Sequence, residues 1–168
     1  RNIAMALEKM GGPKSAALLS NAILKEKDFS VREFYSIAVN HLSSRKVAPT
    51  LLKAAQSGDA DARRVVIRAY SQLGTGDHLA KLNAFETSIK ADKPATVDAV
   101  KRIIKREKVR LVAAKECNSD IACWRKKISD KNSRVRNKAA YELGRLNAKA
   151  AIDDLVKATA DEDEDVRR

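Results

Sequence analysis

The chain has little glycine, proline or aromatic side chain, and it has no long apolar run. Its 168 residues include six glycines, three prolines, three phenylalanines, three tyrosines and one tryptophan. This composition favours helices that pack through small and aliphatic side chains. Charged residues make up 33% of the chain but alternate with periodic apolar positions, which argues against disorder. No apolar run approaches the length needed to span a bilayer.

Residues that usually carry out chemistry are equally scarce. Histidine occurs only at His41 and His78, too far apart in sequence to suggest a metal cluster. The sequence has no glycine-rich loop for a phosphate and no nucleophile beside a base. The acidic run Asp161–Asp165 lacks the spacing and the glycine of a calcium loop. We therefore expect no catalytic residue, no cofactor and no metal site, and we predict a protein that is not an enzyme.

A short signature begins a predicted helix five times along the chain. A small or apolar residue is usually followed by arginine, and apolar residues then recur every three or four positions. Successive copies start 31, 35, 38 and 31 residues apart. A period in the thirties with two helices per period predicts an α-solenoid. The copies are Val31-Arg32, Ala62-Arg63, Val97-Asp98, Val135-Arg136 and Val166-Arg167, and Arg1-Asn2-Ile3 continues their phase.

We expect an all-α fold, a right-handed α-solenoid of about five stacked antiparallel helix pairs. The fourth repeat is irregular, because residues 96–117 contain no glycine or proline and form either one long helix or two short ones. Both ends fall within a repeat, so we expect a single solenoid that is a fragment of a longer array. The predicted repeats cover about residues 1–27, 28–58, 59–91, 92–131 and 132–160, with a break at Ser43-Ser44 and another repeat beginning at 161–168.

An acidic or amide residue precedes four of the signature arginines by four positions. Such a residue can cap the helix N-terminus, while the arginine pairs with it or with the loop of the neighbouring repeat. Asp98 replaces the arginine in the fourth copy, so we expect the ladder to break there. We interpret the following residues as a structural ladder between repeats rather than a ligand-binding row: Asp28, Arg32, Asp59, Arg63, Asn132, Arg136, Asp163 and Arg167.

The clearest copy runs from Val135 to Leu146 and continues with Ala150-Ala151-Ile152-Asp153-Asp154-Leu155. It resembles the HEAT-like repeats also found in phycobilin lyases, and further copies cover nearly the whole chain. A solenoid supplies an extended surface that many unrelated partners use, so we predict a non-catalytic scaffold that binds a protein partner. The resemblance implies the same ladder between repeats. It implies, more weakly, an accessory role for a tetrapyrrole-processing enzyme. It also implies a concave surface lined by the second helix of each pair, near residues 14–25, 46–57, 78–90, 119–129 and 149–160.

Positive charge is concentrated in one stretch of the chain. The formal net charge is +12, and residues 101–149 hold 16 basic and 5 acidic side chains. A dense basic patch attracts phosphate, acidic protein or anionic lipid, although solvated helix faces are also rich in Lys and Arg. Nucleic-acid or polyanion binding through residues 101–138 is therefore the alternative function, despite the scarcity of stacking aromatics. The candidate residues are Lys101, Arg102, Lys105, Arg106, Lys108, Arg110, Arg125, Lys126 and Lys127.

The two cysteines, Cys117 and Cys123, flank a predicted turn between helices. They form either a disulfide that holds the short following helix or two buried thiols. A disulfide would place the protein in an oxidising, extracytoplasmic compartment such as a periplasm, and free thiols would place it in the cytoplasm. We interpret Asp120 as a helix cap and Trp124 as a packing residue. A protein partner is expected, and the sequence does not determine the oligomeric state.

Overall fold

The computed structural model describes residues 2–42, 45–89 and 94–167. The described residues form helices joined by short turns, and none of them lies in a strand. The predicted break at Ser43-Ser44, the repeat boundary at residues 91–92 and the signature residue Arg1 lie outside these ranges. The helices are α1 (Asn2–Met10), α2 (Gly12–Lys25), α3 (Phe29–His41), α4 (Ala48–Ala54), α5 (Ala60–Leu73), α6 (His78–Ser88), α7 (Pro94–Cys117), α8 (Ile121–Lys127), α9 (Ser133–Arg145), α10 (Ile152–Ala158) and α11 (Glu164–Arg167).

Side-chain caps determine where several helices begin. The carboxylates of Asp28, Asp59 and Asp120 and the amide oxygen of Asn132 each accept a backbone N–H from the first turn of the helix that follows. These bonds satisfy amides that have no partner within the helix. The capping positions therefore fix the start of α3, α5, α8 and α9. The donor amides are those of Val31, Ala62, Ala122 and Arg134, at 2.7–3.0 Å from the accepting oxygens.

The signature-bearing helices form one continuous layer. In the order α1, α3, α5, α7, α9 and α11, each helix contacts the next. On the other side of the stack, α2 contacts both α4 and α5. This arrangement confirms an all-α helical-repeat solenoid, while its right hand stays a prediction. None of the helices in the described ranges is long and apolar enough to cross a membrane.

Residues 96–117 of the fourth repeat belong to a single helix, whereas the sequence left one long helix and two short ones as alternatives. α7 runs without interruption from Pro94 to Cys117, and α8 follows it after a short turn. The N-terminal part of α7 buries Val100, Ile104 and Leu111 in a core that reaches back to α1. Its C-terminal end buries Ala113 and Ala114 in a second core with residues of α8 and α9. One helix therefore belongs to two hydrophobic cores.

Candidate binding groove

Two of the ladder arginines connect successive repeats. Arg32 donates to the carbonyl oxygen of Glu26 in its own loop, and its Nη2 lies 3.1 Å from Asp59 Oδ2 in the next loop. Arg136 repeats this geometry with a bidentate pair, because its Nε and Nη2 each lie 2.7 Å from a carboxylate oxygen of Asp161. The partner of each arginine is therefore the acidic residue of the following repeat. Asp28, four residues before Arg32, acts as a cap.

The other ladder residues also make contacts within their own loops. Arg63 Nε donates to the carbonyl of Gly58 at 2.8 Å. Arg167 donates to the carbonyls of Asp161 and Glu162 at 2.7 and 3.0 Å. Asp163 accepts the backbone N–H of Asp165. Asp98 makes no hydrogen bond or ion pair with the residues that the structure describes, so the signature position of the fourth copy has no rung within those ranges.

A buried arginine of α7, Arg110, connects the fourth repeat to the neighbouring helices. Arg110 is 1% exposed and lies among polar groups, so its assignment to the polyanion surface is wrong. Burial of a guanidinium requires hydrogen-bonded partners, and α7 turns Arg110 towards α5 and α9, where they are available. Its Nε lies 2.9 Å from Glu107 Oε2. Its Nη1 donates to Gln72 Oε1 at 2.8 Å, to Arg134 O at 2.9 Å and to Asn137 Oδ1.

Glu107 completes this cluster between α7 and α9. Its second carboxylate oxygen accepts from Arg134 Nε at 3.0 Å. Burial acts to raise the pKa of Glu107, but the ion pairs and hydrogen bonds with Arg110 and Arg134 outweigh it. The pKa of Glu107 is therefore below its ordinary value, and the carboxylate stays charged at neutral pH.

A second buried cluster joins α9 to the C-terminal end of α5. Lys138 is 0% exposed, and its Nζ donates to the carbonyls of Gln72 and Gly74 and to Glu142 Oε1, the last at 2.8 Å. Glu142, also fully buried, accepts from Arg45 and Arg145. Burial lowers the pKa of Lys138 to about 8. We call the five residues at the centre of both clusters the ionic joint: Arg45, Glu107, Arg110, Lys138 and Glu142.

The sequence predicts little of the ionic joint. No pattern marks Arg45, Glu107 or Glu142 as functional, and Lys138 stands out only as part of the basic stretch 101–138. A signal was present, because Glu107 and Arg110 are three residues apart and Lys138 and Glu142 are four apart on one helix face. The same spacing is common on exposed helix faces, so it does not by itself indicate burial.

A cavity is lined by Gln72 and Asn137, which bond to residues of the ionic joint. It has a volume of about 600 Å³ and crosses the stack from α3 to α11. We call this cavity the groove. Its lining comes mainly from the signature-bearing helices, whereas the resemblance implied the second helices, of which α10 contributes here. The lining includes Glu33, Ile37, Asn40 and His41 of α3, Arg68 and Gln72 of α5, Asn137, Ala140 and Tyr141 of α9, Leu155 and Ala158 of α10, and Asp165, Val166 and Arg167 of α11.

We call Arg68, Asn137 and Asp165 the floor of the groove, and we call its apolar residues, such as Ile37 and Leu155, its walls. On the floor, Arg68 Nη2 lies 2.7 Å from Asp165 Oδ1, and Asn137 donates to the carbonyl of Asp165. On the walls, Ile37 is 37% exposed and Leu155 is half-buried. Asn137 also accepts from Arg110, so the floor rests on the ionic joint.

Exposed cations form a row on the outer face of α7. Lys101, Arg102, Lys105 and Arg106 are exposed and have no ion pair with the described residues. We call these four residues the cation row. The remaining candidates differ, because Lys108 pairs with Glu86, Arg125 pairs with Asp154 at 2.6 Å, and Lys127 pairs with Glu116 at 2.7 Å. Lys126 is exposed.

The cysteines lie at the junction of α7 and α8. The sulfur atoms of Cys117 and Cys123 lie at disulfide-bond distance, with the Cα atoms 5.3 Å apart. Asp120 caps α8 inside the loop that they close. Trp124 is fully buried, and its Nε1 donates to the carbonyl of Asn118 at 2.9 Å. Within the described ranges, no group of three or more His, Cys, Asp or Glu residues is arranged to hold a metal ion.

Stacked helix pairs, capping aspartates and arginines that reach the next loop define a helical-repeat protein. Residues 135–161 match the family model described as PBS lyase HEAT-like repeat. The chain therefore carries a HEAT-like repeat in residues 135–161. The matched segment contains Arg136 and its partner Asp161, as well as Lys138 and Glu142 of the ionic joint. No curated protein matched the sequence.

Proposed function

We propose that the protein is a non-catalytic scaffold that binds a protein partner through the groove. The groove itself carries this proposal. Solenoids stack repeats into extended surfaces that serve as binding sites. A cavity of about 600 Å³ is within the range of about 300–1,000 Å³ typical of ligand sites, and this one crosses most of the stack.

Site-specific photo-crosslinking tests this proposal. A photoreactive p-benzoylphenylalanine replaces Ile37 in the groove in one variant and Ile121 on α8 in the other. The two isoleucines are matched, because each is 37% exposed and only Ile37 lines the groove. Illumination in a lysate of the native cells is expected to give a discrete crosslinked protein band from position 37 and none from position 121. Equal bands at both positions, or none at position 37, would contradict the proposal.

Polyanion binding is the second candidate function, and the cation row is the observation that favours it. Lys101, Arg102, Lys105 and Arg106 occupy two turns of one helix face, with no anionic partner among the described residues. Unpaired cations that neutralise phosphates release counterions on binding, so affinity for nucleic acid falls with salt. Four phosphate contacts would give a logarithmic salt slope of about −3 to −4 on duplex DNA.

Charge reversal separates this function from non-specific attraction. Fluorescein-labelled duplex DNA and single-stranded RNA are titrated across a salt series with wild type and with a variant that has glutamate at all four cation-row positions. The control places glutamate at Lys9, Lys14, Lys25 and Lys27, which are also exposed. Specific use of the cation row predicts loss of binding in the first variant alone. Equal loss in both, or no binding by wild type at moderate salt, would eliminate this function.

We also propose that the protein works in an oxidising compartment. The pairing of Cys117 with Cys123 supports this placement, because disulfides persist outside the reducing cytosol. The protein isolated in the presence of an alkylating agent is expected to keep its unmodified mass without reductant and to gain two adducts after reduction. Two adducts without reduction would refute both the disulfide and the compartment.

A further inference from the structure

We propose that the groove binds an extended, uncharged peptide segment that places apolar side chains against its walls and hydrogen-bonds through its backbone. This inference rests on the proposed function and specifies its ligand. Three properties of the lining support this inference: its charged groups already have partners, two of its neutral polar groups have none among the described residues, and its walls are apolar.

The charged groups that line the groove are already engaged. Arg68 pairs with Asp165, and His41 Nδ1 lies 3.0 Å from Glu8 Oε1. Arg167 donates to two loop carbonyls, and Glu33 also has an interaction partner. A charged ligand would lose hydration on entry without gaining a free counter-charge. An uncharged segment complements this lining.

Two neutral polar groups of the lining lack partners. The amide oxygen of Asn40 on α3 and the hydroxyl of Tyr141 on α9 are buried and have no hydrogen bond with any residue that the structure describes. Burial raises the pKa of the Tyr141 hydroxyl, so it remains protonated and can donate. Both residues line the groove and are only half-buried, so side-chain rotation can present their polar groups to a ligand.

A peptide backbone supplies the partners that these groups need. Its N–H can donate to the Asn40 oxygen, and its carbonyl can accept from the Tyr141 hydroxyl. The two residues lie on α3 and α9, so a segment that bonds both would cross the groove. Its side chains would then meet Ile37 on one side and Leu155 and Ala158 on the other. Apolar side chains gain most from such contacts.

A small neutral probe tests this chemistry directly. N-acetyl-leucine N-methylamide carries two amides and one apolar side chain, and N-acetyl-leucine is its anionic counterpart. Each is titrated to millimolar concentration into isotope-labelled protein and followed by amide chemical shifts. We expect the neutral probe to shift resonances of α3, α9 and α10 at the groove, and to bind more tightly than the anion. Equal or tighter binding of the anion, or shifts located elsewhere, would overturn the proposal.

Conservative variants separate hydrogen bonding from packing. Tyr141→Phe removes only the hydroxyl and is expected to weaken the neutral probe about two- to tenfold. Ala140→Phe fills the groove and is expected to abolish the shifts. Tyr35→Phe is the matched control, because Tyr35 is also half-buried on the stack and does not line the groove. Equal affinity of the Tyr141 and Tyr35 variants would overturn the assignment of Tyr141.

The crosslinking experiment tests the scaffold function and the probe titration tests the uncharged peptide ligand, so either proposal can fail without the other. A crosslinked band at position 37 without probe binding would leave the scaffold function standing and reject the uncharged peptide as ligand. Probe binding at the groove without a crosslinked protein would support the site and reject the partner-binding function. Absence of both results would reject both proposals.

Discussion

The region before α7 and the region from α7 onwards are built from the same repeat but are held together differently. Among the described residues before α7, the buried interior is mainly aliphatic, and the buried charged side chains are Arg32 and Arg63. Among the described residues from α7 onwards the core is smaller, and five charged side chains are buried: Glu107, Arg110, Arg136, Lys138 and Glu142. Where less aliphatic surface is available between repeats, paired charges occupy the interface.

This difference affects how firmly the repeats are connected. Apolar packing tolerates small changes in side-chain volume, whereas a buried charge that loses its partner is strongly destabilising. The ionic joint therefore makes docking of α9 against α5 and α7 depend on a few specific contacts. Because the groove lies across the same helices, its shape depends on the same contacts.

Breaking the ionic joint should have the largest effect on stability. Glu142→Gln keeps the size of the side chain but leaves the buried cation of Lys138 without its carboxylate. We expect the free energy of unfolding at neutral pH to fall by about 3 kcal/mol or more. Urea denaturation followed by far-UV circular dichroism measures it.

The matched control for this change is Glu116→Gln. Glu116 also pairs with a lysine, Lys127, but its side chain is 52% exposed. We expect a change within about 1 kcal/mol, as is usual for exposed ion pairs. Similar losses in the two variants would show that burial does not distinguish the ionic joint from surface pairs.

Acidification should also lower the free energy of unfolding, by a smaller amount per pH unit than the substitution Glu142→Gln does at neutral pH. Burial acts to raise the pKa of Glu142, but the cations Lys138, Arg145 and Arg45 outweigh it and hold the pKa below its ordinary value. A carboxylate with a lowered folded-state pKa stabilises the protein above its unfolded-state pKa, and this contribution is lost as pH falls through the lowered value. Stability should therefore be level above about pH 5 and decline below about pH 4.5. Between pH 5 and 3, the free energy of unfolding from urea denaturation should fall less steeply for Glu142→Gln than for wild type. Identical slopes for the two proteins would contradict the contribution of Glu142.

The inter-repeat ion pairs of Arg136 and Arg32 should contribute unequally to the free energy of unfolding. Arg136 makes a bidentate pair with Asp161, whose side chain is 11% exposed, whereas Arg32 pairs with Asp59, whose side chain is 62% exposed. We expect Arg136→Ala to cost about 2–3 kcal/mol and Arg32→Ala about 1 kcal/mol in urea denaturation. An equal or reversed order would mean that pair geometry and burial do not determine the strength of a rung.

Removal of the disulfide should have a modest effect. Cys117 and Cys123 are six residues apart, so the closed loop is short and restricts the unfolded chain only slightly. We expect the double change to alanine to cost about 2 kcal/mol. Thermal unfolding followed by Trp124 fluorescence measures this cost, and dithiothreitol should not affect the double variant. A wild-type thermal midpoint that dithiothreitol does not lower would show that the disulfide does not stabilise the protein.

The sequence predicted the repeats better than their connections. Caps and signature arginines are local patterns, so the roles of Asp59 and Asp120 can be predicted from a few neighbouring residues. The partner of Arg32 lies 27 residues away in the next repeat, and the contact between Arg45 and Glu142 spans 97 residues. Such pairs depend on how the repeats stack, which no local pattern specifies.

Arg110 shows the same limit for the candidate site. Its neighbours on α7 include the cation row, so charge density alone places it on the surface. Its burial depends on Gln72 and Asn137, which come from other helices. The groove could not be located from the sequence for a related reason, since its walls come from helices distant along the chain.

We expect the ionic joint to couple the region from α7 onwards to the preceding repeats. Trp124, the single tryptophan, reports the second core alone, whereas far-UV circular dichroism reports all the helices. In urea, we expect the two signals of wild type to coincide, and those of Glu142→Gln to separate, with Trp124 unfolding first. Coincident transitions in Glu142→Gln would contradict the claim, because the two regions would then unfold as one unit without the joint.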